Sequence, residues 1–200
     1  MKKLMMLLFV PLFGWGQSFE KGAQVVDFSP GFLLLYTKIK ETGQTAYEKD
    51  TTAAFVFPVS YEYGILDWLS GGGFFRFNNF IEGDSNNFQA TGIDAGVLVN
   101  FHFLRSKRVD WLAGIAGGYS YFKIKANDVS SNEATGGGSN FGIYTKFRFY
   151  FNDHFGMHLD LGRWNLNYPS IKFKSGTDPD YRIHLQGAGP NIGLGFQYKF

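Results

Sequence analysis

The sequence predicts an all-β chain, an eight-stranded antiparallel up-and-down transmembrane β-barrel, and three observations carry that prediction. First, the residues from Ala188 to Phe200 alternate strictly. Ala188, Pro190, Ile192, Leu194, Phe196, Tyr198 and Phe200 share one face; Gly189, Asn191, Gly193, Gly195, Gln197 and Lys199 share the other. A period of two is a strand, and this one suits lipid on its apolar side and a polar lumen on its other. Second, aromatic residues make up 19% of the chain, with 23 Phe and 11 Tyr, which fits a barrel that gathers aromatics into two interfacial girdles. Third, nowhere does the sequence offer the roughly 18 consecutive apolar residues of a membrane helix, so a membrane-spanning form must be built of strands.

At the N-terminus, Met1-Lys2-Lys3 is basic, Leu4 to Phe13 is apolar apart from Pro11, and Gly14-Trp15-Gly16-Gln17 supplies a small-residue site. That order reads as a signal peptide over residues 1–16, cleaved after Gly16, with the barrel domain over residues 17–200. The first strand then runs near Ala23 to Lys38, with Phe28, Pro30, Phe32, Leu34 and Tyr36 outward and Asp27 and Ser29 inward. The second, near Thr52 to Gly64, turns Phe55, Phe57, Val59, Tyr61 and Tyr63 outward. Pro58 lacks a ladder donor, which predicts a bulge there.

Leu66-Asp67-Trp68 turns into a third strand near Leu69 to Phe80, with Phe75 and Phe77 outward and Arg76 and Asn78 inward. The fourth, near Phe88 to Phe103, sets Ile93, Val97 and Phe101 against Asp94, Asn100 and His102. A Gly-rich fifth strand near Trp111 to Lys125 leaves its facing open. The sixth, near Asn140 to Phe151, sets Phe141, Phe147 and Phe149 against Tyr144, Lys146 and Arg148. In the seventh, near Phe155 to Tyr168, apolar residues occupy odd positions up to Leu161 and even ones from Trp164 to Tyr168, which predicts a bulge near Gly162-Arg163. The eighth is the C-terminal strand.

Connections alternate in length. Short turns fall at Ile65 to Ser70, Leu104 to Val109 and Asn152 to His154; longer polar loops fall at Ile39 to Thr51, Ile81 to Asn87, Ala126 to Gly138 and Pro169 to His184. Short periplasmic turns and long outer loops are the habit of outer-membrane barrels. Trp68, Trp111, Tyr61, Tyr63, Phe101, Phe151, Phe155, Tyr198 and Phe200 then make the periplasmic girdle, and Tyr36, Phe77, Phe88, Tyr119, Phe141 and Tyr168 the outer one.

On this strand pattern, turn spacing and terminal aromatic, the chain from Ala23 to Phe200 resembles small outer-membrane barrels of the OmpA-transmembrane and OmpX type. The resemblance implies a bacterial outer-membrane location, insertion by the barrel assembly machinery with Phe200 as part of the signal it reads, and contact with lipopolysaccharide and other outer-membrane proteins. It names no single activity.

The formal charge of +2 loses Lys2 and Lys3 with the signal, leaving a nearly neutral mature chain without a nucleic-acid partner. The absence of cysteine removes disulfides and thiolate metal sites. A lumen of eight strands is just wide enough to be filled by its own side chains. The facing puts Asp27, Glu62, Asp94 and Asp160 inside as acids and Arg76, Lys146, Arg148 and Lys199 as bases, a balanced set that predicts a hydrogen-bonded plug. No cofactor, metal or catalytic set is expected. Some barrels with this fold are lipid A deacylases with a His-x-Ser pattern, but Leu104, Gly156, Asp160 and Gln186 stand two residues after the four histidines. His158-Leu159-Asp160 could form an omptin-like acid-base pair or a plain lumenal hydrogen bond. Loop acids Asp84, Glu133, Asp178 and Asp180 could hold Ca²⁺, although exposed acids seldom do. A structural or interaction protein, alone or as an accessory subunit, leads; a narrow small-solute pore and a lipid-acting enzyme follow.

Overall fold

The computed structural model describes residues 18–81, 88–126, 133–174 and 181–200; the predicted signal peptide and the loop acids Asp84, Asp178 and Asp180 lie outside them. The strands are β1 (Gln24–Phe28), β2 (Gly31–Glu41), β3 (Glu48–Leu66), β4 (Leu69–Ile81), β5 (Phe88–Arg105), β6 (Val109–Ala126), β7 (Glu133–Tyr150), β8 (Phe155–Phe173) and β9 (Arg182–Lys199). β1 and β2 both pair antiparallel with β3, each later strand pairs antiparallel with the next, and β9 closes onto β1 and β2, so the ring of described strands leaves no sheet edge open. A closed ladder is the form in which strands cross hydrocarbon, because every backbone donor and acceptor finds a partner within the sheet.

β1 and β2 are two lengths of one stave, so the barrel has eight. Register against β3 runs unbroken from Phe28↔Val59 to Gly31↔Val56. Two prolines thin the ladder between them. The Ser29 N–H donates to the Pro58 carbonyl at 3.1 Å and the Leu194 N–H to the Pro30 carbonyl at 3.1 Å, but neither proline can return the bond. Pro58 therefore makes no bulge; it faces Arg76 in continuous register.

β8 corrects the facing expected from its hydrophobic pattern. Its even positions from Gly156 to Tyr168 point inward throughout, so Trp164, Leu166 and Tyr168 enter the lumen while Arg163, Asn165 and Asn167 face out. No bulge occurs at Gly162-Arg163. The irregularity lies instead between Tyr168 and Ile171, beside Pro169. Tyr168 is fully buried and leaves the outer girdle. The apparent change of phase is an inversion of polarity: the outer half of the lumen is apolar, so there the apolar residues point inward.

The other outward faces agree with the alternation. Val97, Ile143, Leu194 and Phe196 are exposed in mid-strand, and every aromatic assigned to the periplasmic girdle is exposed. β6 turns Trp111, Ile115, Tyr119 and Tyr121 outward and buries Leu112, Ala116, Ser120 and Phe122. Strands outrun their predicted ends: β3 starts at Glu48, β7 at Glu133, and β8 continues to Phe173. Much of the expected outer loop is thus paired sheet rising beyond the girdle.

Candidate functional site

The lumen holds two polar layers separated by a small cavity. In the inner layer, toward the short turns, every stave contributes: Asp27, Glu62, Ser70, His102, Asp110, Lys146, Arg148, His158, Asp160 and Gln197 are all buried. Some of these pairs follow directly from register. Arg148 stands opposite Asp110 across β6–β7, and Lys146 opposite Asp160 across β7–β8. Opposite charges so placed stabilise a sheet.

Contacts across the lumen complete the layer. Arg148 Nη2 donates to Glu62 Oε2 at 2.6 Å and to Asp27 Oδ2 at 3.2 Å, and Nη1 donates to Asp110 Oδ2 at 3.3 Å. Lys146 Nζ lies 3.0 and 2.9 Å from the two oxygens of Asp27 and 3.5 Å from Asp160 Oδ2. One guanidinium thus bridges acids from β1, β3 and β6. A planar fork of five donors is the group that can do this, and Lys could not replace it.

Two members differ from the balanced set read from the sequence. Lys199 sits at the inner mouth, where its Nζ donates to the Ser18 carbonyl at 3.1 Å, and it forms no ion pair among the described residues. Asp110 joins instead, with His102 between it and Glu62: Nδ1 is 2.8 Å from Asp110 Oδ1 and Nε2 2.9 Å from Glu62 Oε1. Asp110 was missed because the fifth strand was begun at the next residue; the outward Trp111 already implies that Asp110 points in.

Ser70 Oγ lies 3.2 Å from His102 Nε2, so Ser70, His102 and Asp110 carry the residue types of a nucleophile, base and orienting acid. The bonds run otherwise. Ser70 donates to Glu62 Oε1 at 2.8 Å, and both ring nitrogens of His102 face carboxylates. With the serine proton directed at Glu62 and a carboxylate at each ring nitrogen, the groups form a closed hydrogen-bonded cluster rather than an open nucleophile–base pair. Phe19 then closes the layer from below, stacked on His102 with ring centroids 3.7 Å apart and itself fully buried. His158 and Asp160 share a face, but His158 Nε2 is 3.8 Å from Asp160 Oδ2, beyond hydrogen-bond reach, while Nδ1 meets Gln197 Oε1 at 2.7 Å.

The outer layer centres on the cross-strand pair Arg76↔Asp94. Arg76 Nη2 is 2.5 Å from Asp94 Oδ2, Asn78 Nδ2 donates to the same oxygen at 2.8 Å, and the Ser120 hydroxyl binds Asp94 Oδ1. The Tyr168 and Ser120 hydroxyls are 2.6 Å apart. The Arg76 guanidinium lies 3.8 Å from the Trp164 ring centroid, a cation–π contact that seats the charge against an apolar wall. Trp164 fits because its partner Gly142 has no side chain: a Cβ there would come within 2.6 Å of the indole. Between the layers remains a cavity of about 50 Å³ bordered by Tyr144, Lys146 and Trp164. Above Arg76 the lumen becomes an apolar vestibule of about 150 Å³ lined by Leu35, Phe80, Phe122, Leu166 and Leu185.

Among the described residues no cluster of His, Asp and Glu could hold a metal ion. Glu133 is taken by Lys123 at 2.9 Å and Lys174 at 3.1 Å. The side chain of Phe88 is not among those described; Phe200 is exposed, and its N–H binds the Gln24 carbonyl at 2.9 Å.

A closed ring of eight antiparallel staves with an apolar, aromatic-rimmed exterior and a polar-filled interior is the fold of small outer-membrane barrels. Solved structures agree. The outer membrane protein OprG from Pseudomonas aeruginosa matches with a TM-score of 0.58 at 14% identity, covering 92% of this chain and 99% of that one. The Neisserial surface protein NspA matches with a TM-score of 0.53 at 14% identity, covering 90% and 100%. The outer membrane protein AlkL in lipid bilayers matches with a TM-score of 0.54 at 12% identity, covering 91% and 92%. At these identities the likeness gives the fold alone. No protein-family model and no curated protein matches the sequence.

Proposed function

We propose that this chain is a sealed outer-membrane barrel that acts through its surface, as a structural or interaction protein or as the accessory subunit of an outer-membrane assembly. The observation that supports this is the Arg148 hub. One buried guanidinium ties acids from three staves across the lumen, and Phe19 covers the layer it organises. An ion path through that layer would have to break charge-assisted bonds whose loss leaves buried carboxylates unpaired, at a cost of about 3–5 kcal/mol for one partner.

Planar-bilayer recording tests the seal. Purified protein is expected to show no stable open state; a uniform conductance whose ion selectivity changes in Glu62→Gln would favour the narrow-pore reading, to which the cavity and the vestibule already lend two of the necessary spaces. Gentle solubilisation of native membranes tests partnership: a stoichiometric companion supports the accessory role, and a solitary monomer removes it. The non-enzymatic reading is supported by the blocked geometry of His102 and the distance between His158 and Asp160. Mass spectrometry of lipid A from cells with and without the protein tests it, and an acyl chain missing in a His102- or His158-dependent way would overturn it.

A further inference from the structure

Charge at the outer end of the barrel is sorted by face. On β2 and β3, unbroken register sets Lys38 against Lys49 on the outward side and Thr37 against Asp50 on the lumen side, with Glu48 one lumen position further out. Glu41 shares the lumen parity of Thr37 on β2. Among the described residues, no Lys or Arg takes a lumen-facing strand position on the outer side of Arg76. Neither Glu48 nor Asp50 forms an ion pair among them. By sequence, the connections over residues 82–87, 127–132 and 175–180 add Glu82, Asp84, Asp128, Asp178 and Asp180 and no basic residue. Solubility alone is served by interspersed signs. A mouth lined by one sign between low-dielectric walls instead draws in and focuses ions of the other.

Beside these acids lies the apolar vestibule of about 150 Å³. Its wall holds a run of three rings: Phe80 meets Phe122 edge-on with centroids 5.3 Å apart, and Phe122 meets Tyr168 at 5.1 Å. Leu35, Leu166 and Leu185 add aliphatic surface. Gly187 also lines the space, and a Cβ there would come no closer than 3.5 Å to Leu35, so the glycine leaves room that a side chain could fill. Asp50 both lines the chamber and is exposed, so the apolar space meets water at a carboxylate. An apolar cavity of about this size takes up one benzene-sized group. One lumen position below Phe80, Asn78 is fully buried; its Nδ2 donates to Asp94, while its Oδ1 has no donor among the described residues.

We infer that the vestibule is a binding site for small organic cations, with an apolar body about the size of one benzene ring held against Phe80, Phe122 and Leu166 and an ammonium group turned toward Asp50. A neutral molecule of the same shape gains the apolar contact but leaves the acids without a counter-charge, and an anion is repelled by them. The site lies wholly on the outer side of the Arg76–Asp94 pair, so the inference is independent of whether the inner layer conducts.

NMR titration of the refolded full chain in zwitterionic detergent tests it, with three water-soluble probes that share a ring and differ in charge: benzyltrimethylammonium, benzyl alcohol and benzoate. Wild type is expected to bind the ammonium more tightly than the alcohol and to reject benzoate, with shift changes confined to the strands around the vestibule. Asp50→Asn should weaken the ammonium by about fivefold, the scale of one exposed ion pair, and leave the alcohol unchanged. Gly187→Leu, which fills the chamber, should abolish binding of both. Heat-modifiable migration on gels shows whether each variant is folded, and Ala90→Leu, from another lining position, repeats the filling test should Gly187→Leu not fold. Equal affinity for alcohol and ammonium would overturn the inference, as would tighter binding of benzoate. So would wild-type affinity for the ammonium in Asp50→Asn or in a folded chamber-filling variant, or shift changes that fall outside the vestibule.

Discussion

The inner and outer halves of the lumen solve the same packing problem with opposite materials. The inner half is filled by ionised and hydrogen-bonded groups that satisfy one another, with Arg148, Lys146 and His102 set among Asp27, Glu62, Asp110 and Asp160. The outer half is filled by Leu35, Phe122, Leu166, Tyr168 and Ile171 around the ion pair Arg76–Asp94. An apolar filling loses energy gradually as atoms are removed, because neighbours relax into the gap. A charge network loses it abruptly, because one deletion orphans several partners. The inner half is therefore the part that a single substitution should damage most.

Arg148→Met is expected to have the largest effect. It leaves Asp27, Glu62 and Asp110 short of a donor, and urea unfolding of the refolded barrel should show a loss of about 3–5 kcal/mol. A loss below that of any outer-half truncation would break the contrast. Placing Arg at Val97, which faces out in mid-strand, should cost about 2–4 kcal/mol, whereas a polar replacement at the inward Asn100 should cost less; the reverse order would mean that the facing is inverted. Leu166→Ala in the outer half should cost about 2 kcal/mol, the low end for a buried leucine, because the vestibule beside it lets neighbours settle.

Deleting Phe200 should leave refolding in detergent near normal, since most of the β9 ladder remains, while insertion in cells slows or fails. Immunoblots of outer-membrane fractions read this, and normal insertion would reduce Phe200 to a girdle aromatic. The smallest effect concerns Glu133, outside the membrane-spanning wall. Its hydrogen bond to Lys123, and then that to Lys174, holds its carboxyl below the ordinary carboxylate range. A folded-state value that is lowered gives stability at neutral pH that fades as pH falls through that value, so Glu133→Gln should flatten the acid limb of the stability profile slightly. An NMR titration that puts its midpoint at or above the ordinary value would contradict this.

Legibility in the sequence followed the same division. Where outward residues are apolar and inward ones polar, as on β5 and β7, alternation placed Asp94, Asn100, Lys146 and Arg148 in the lumen without any structure. Where the interior itself turns apolar, as beside Trp164 and Leu166, the identical alternation was read one residue out of phase, because hydrophobicity alone does not distinguish lipid from an apolar core. His102 stood on an inward face, yet nothing local to it announces that Glu62 and Asp110 approach from opposite sides.

By itself, then, the sequence determined the class of fold, the number of staves and most of the outward faces. These rest on a period of two and on turn chemistry, which are properties of adjacent residues. The tertiary structure decided which charges meet. Closure of the ring brings residues from remote strands to a common axis, as with Arg148 and Asp27, 121 positions apart. It also decided that Lys199 remains at the mouth with Ser18, that Phe19 covers His102, and that Lys38 and Lys49 face each other on the outer wall. Each of these depends on register and barrel closure, which no local window of sequence contains.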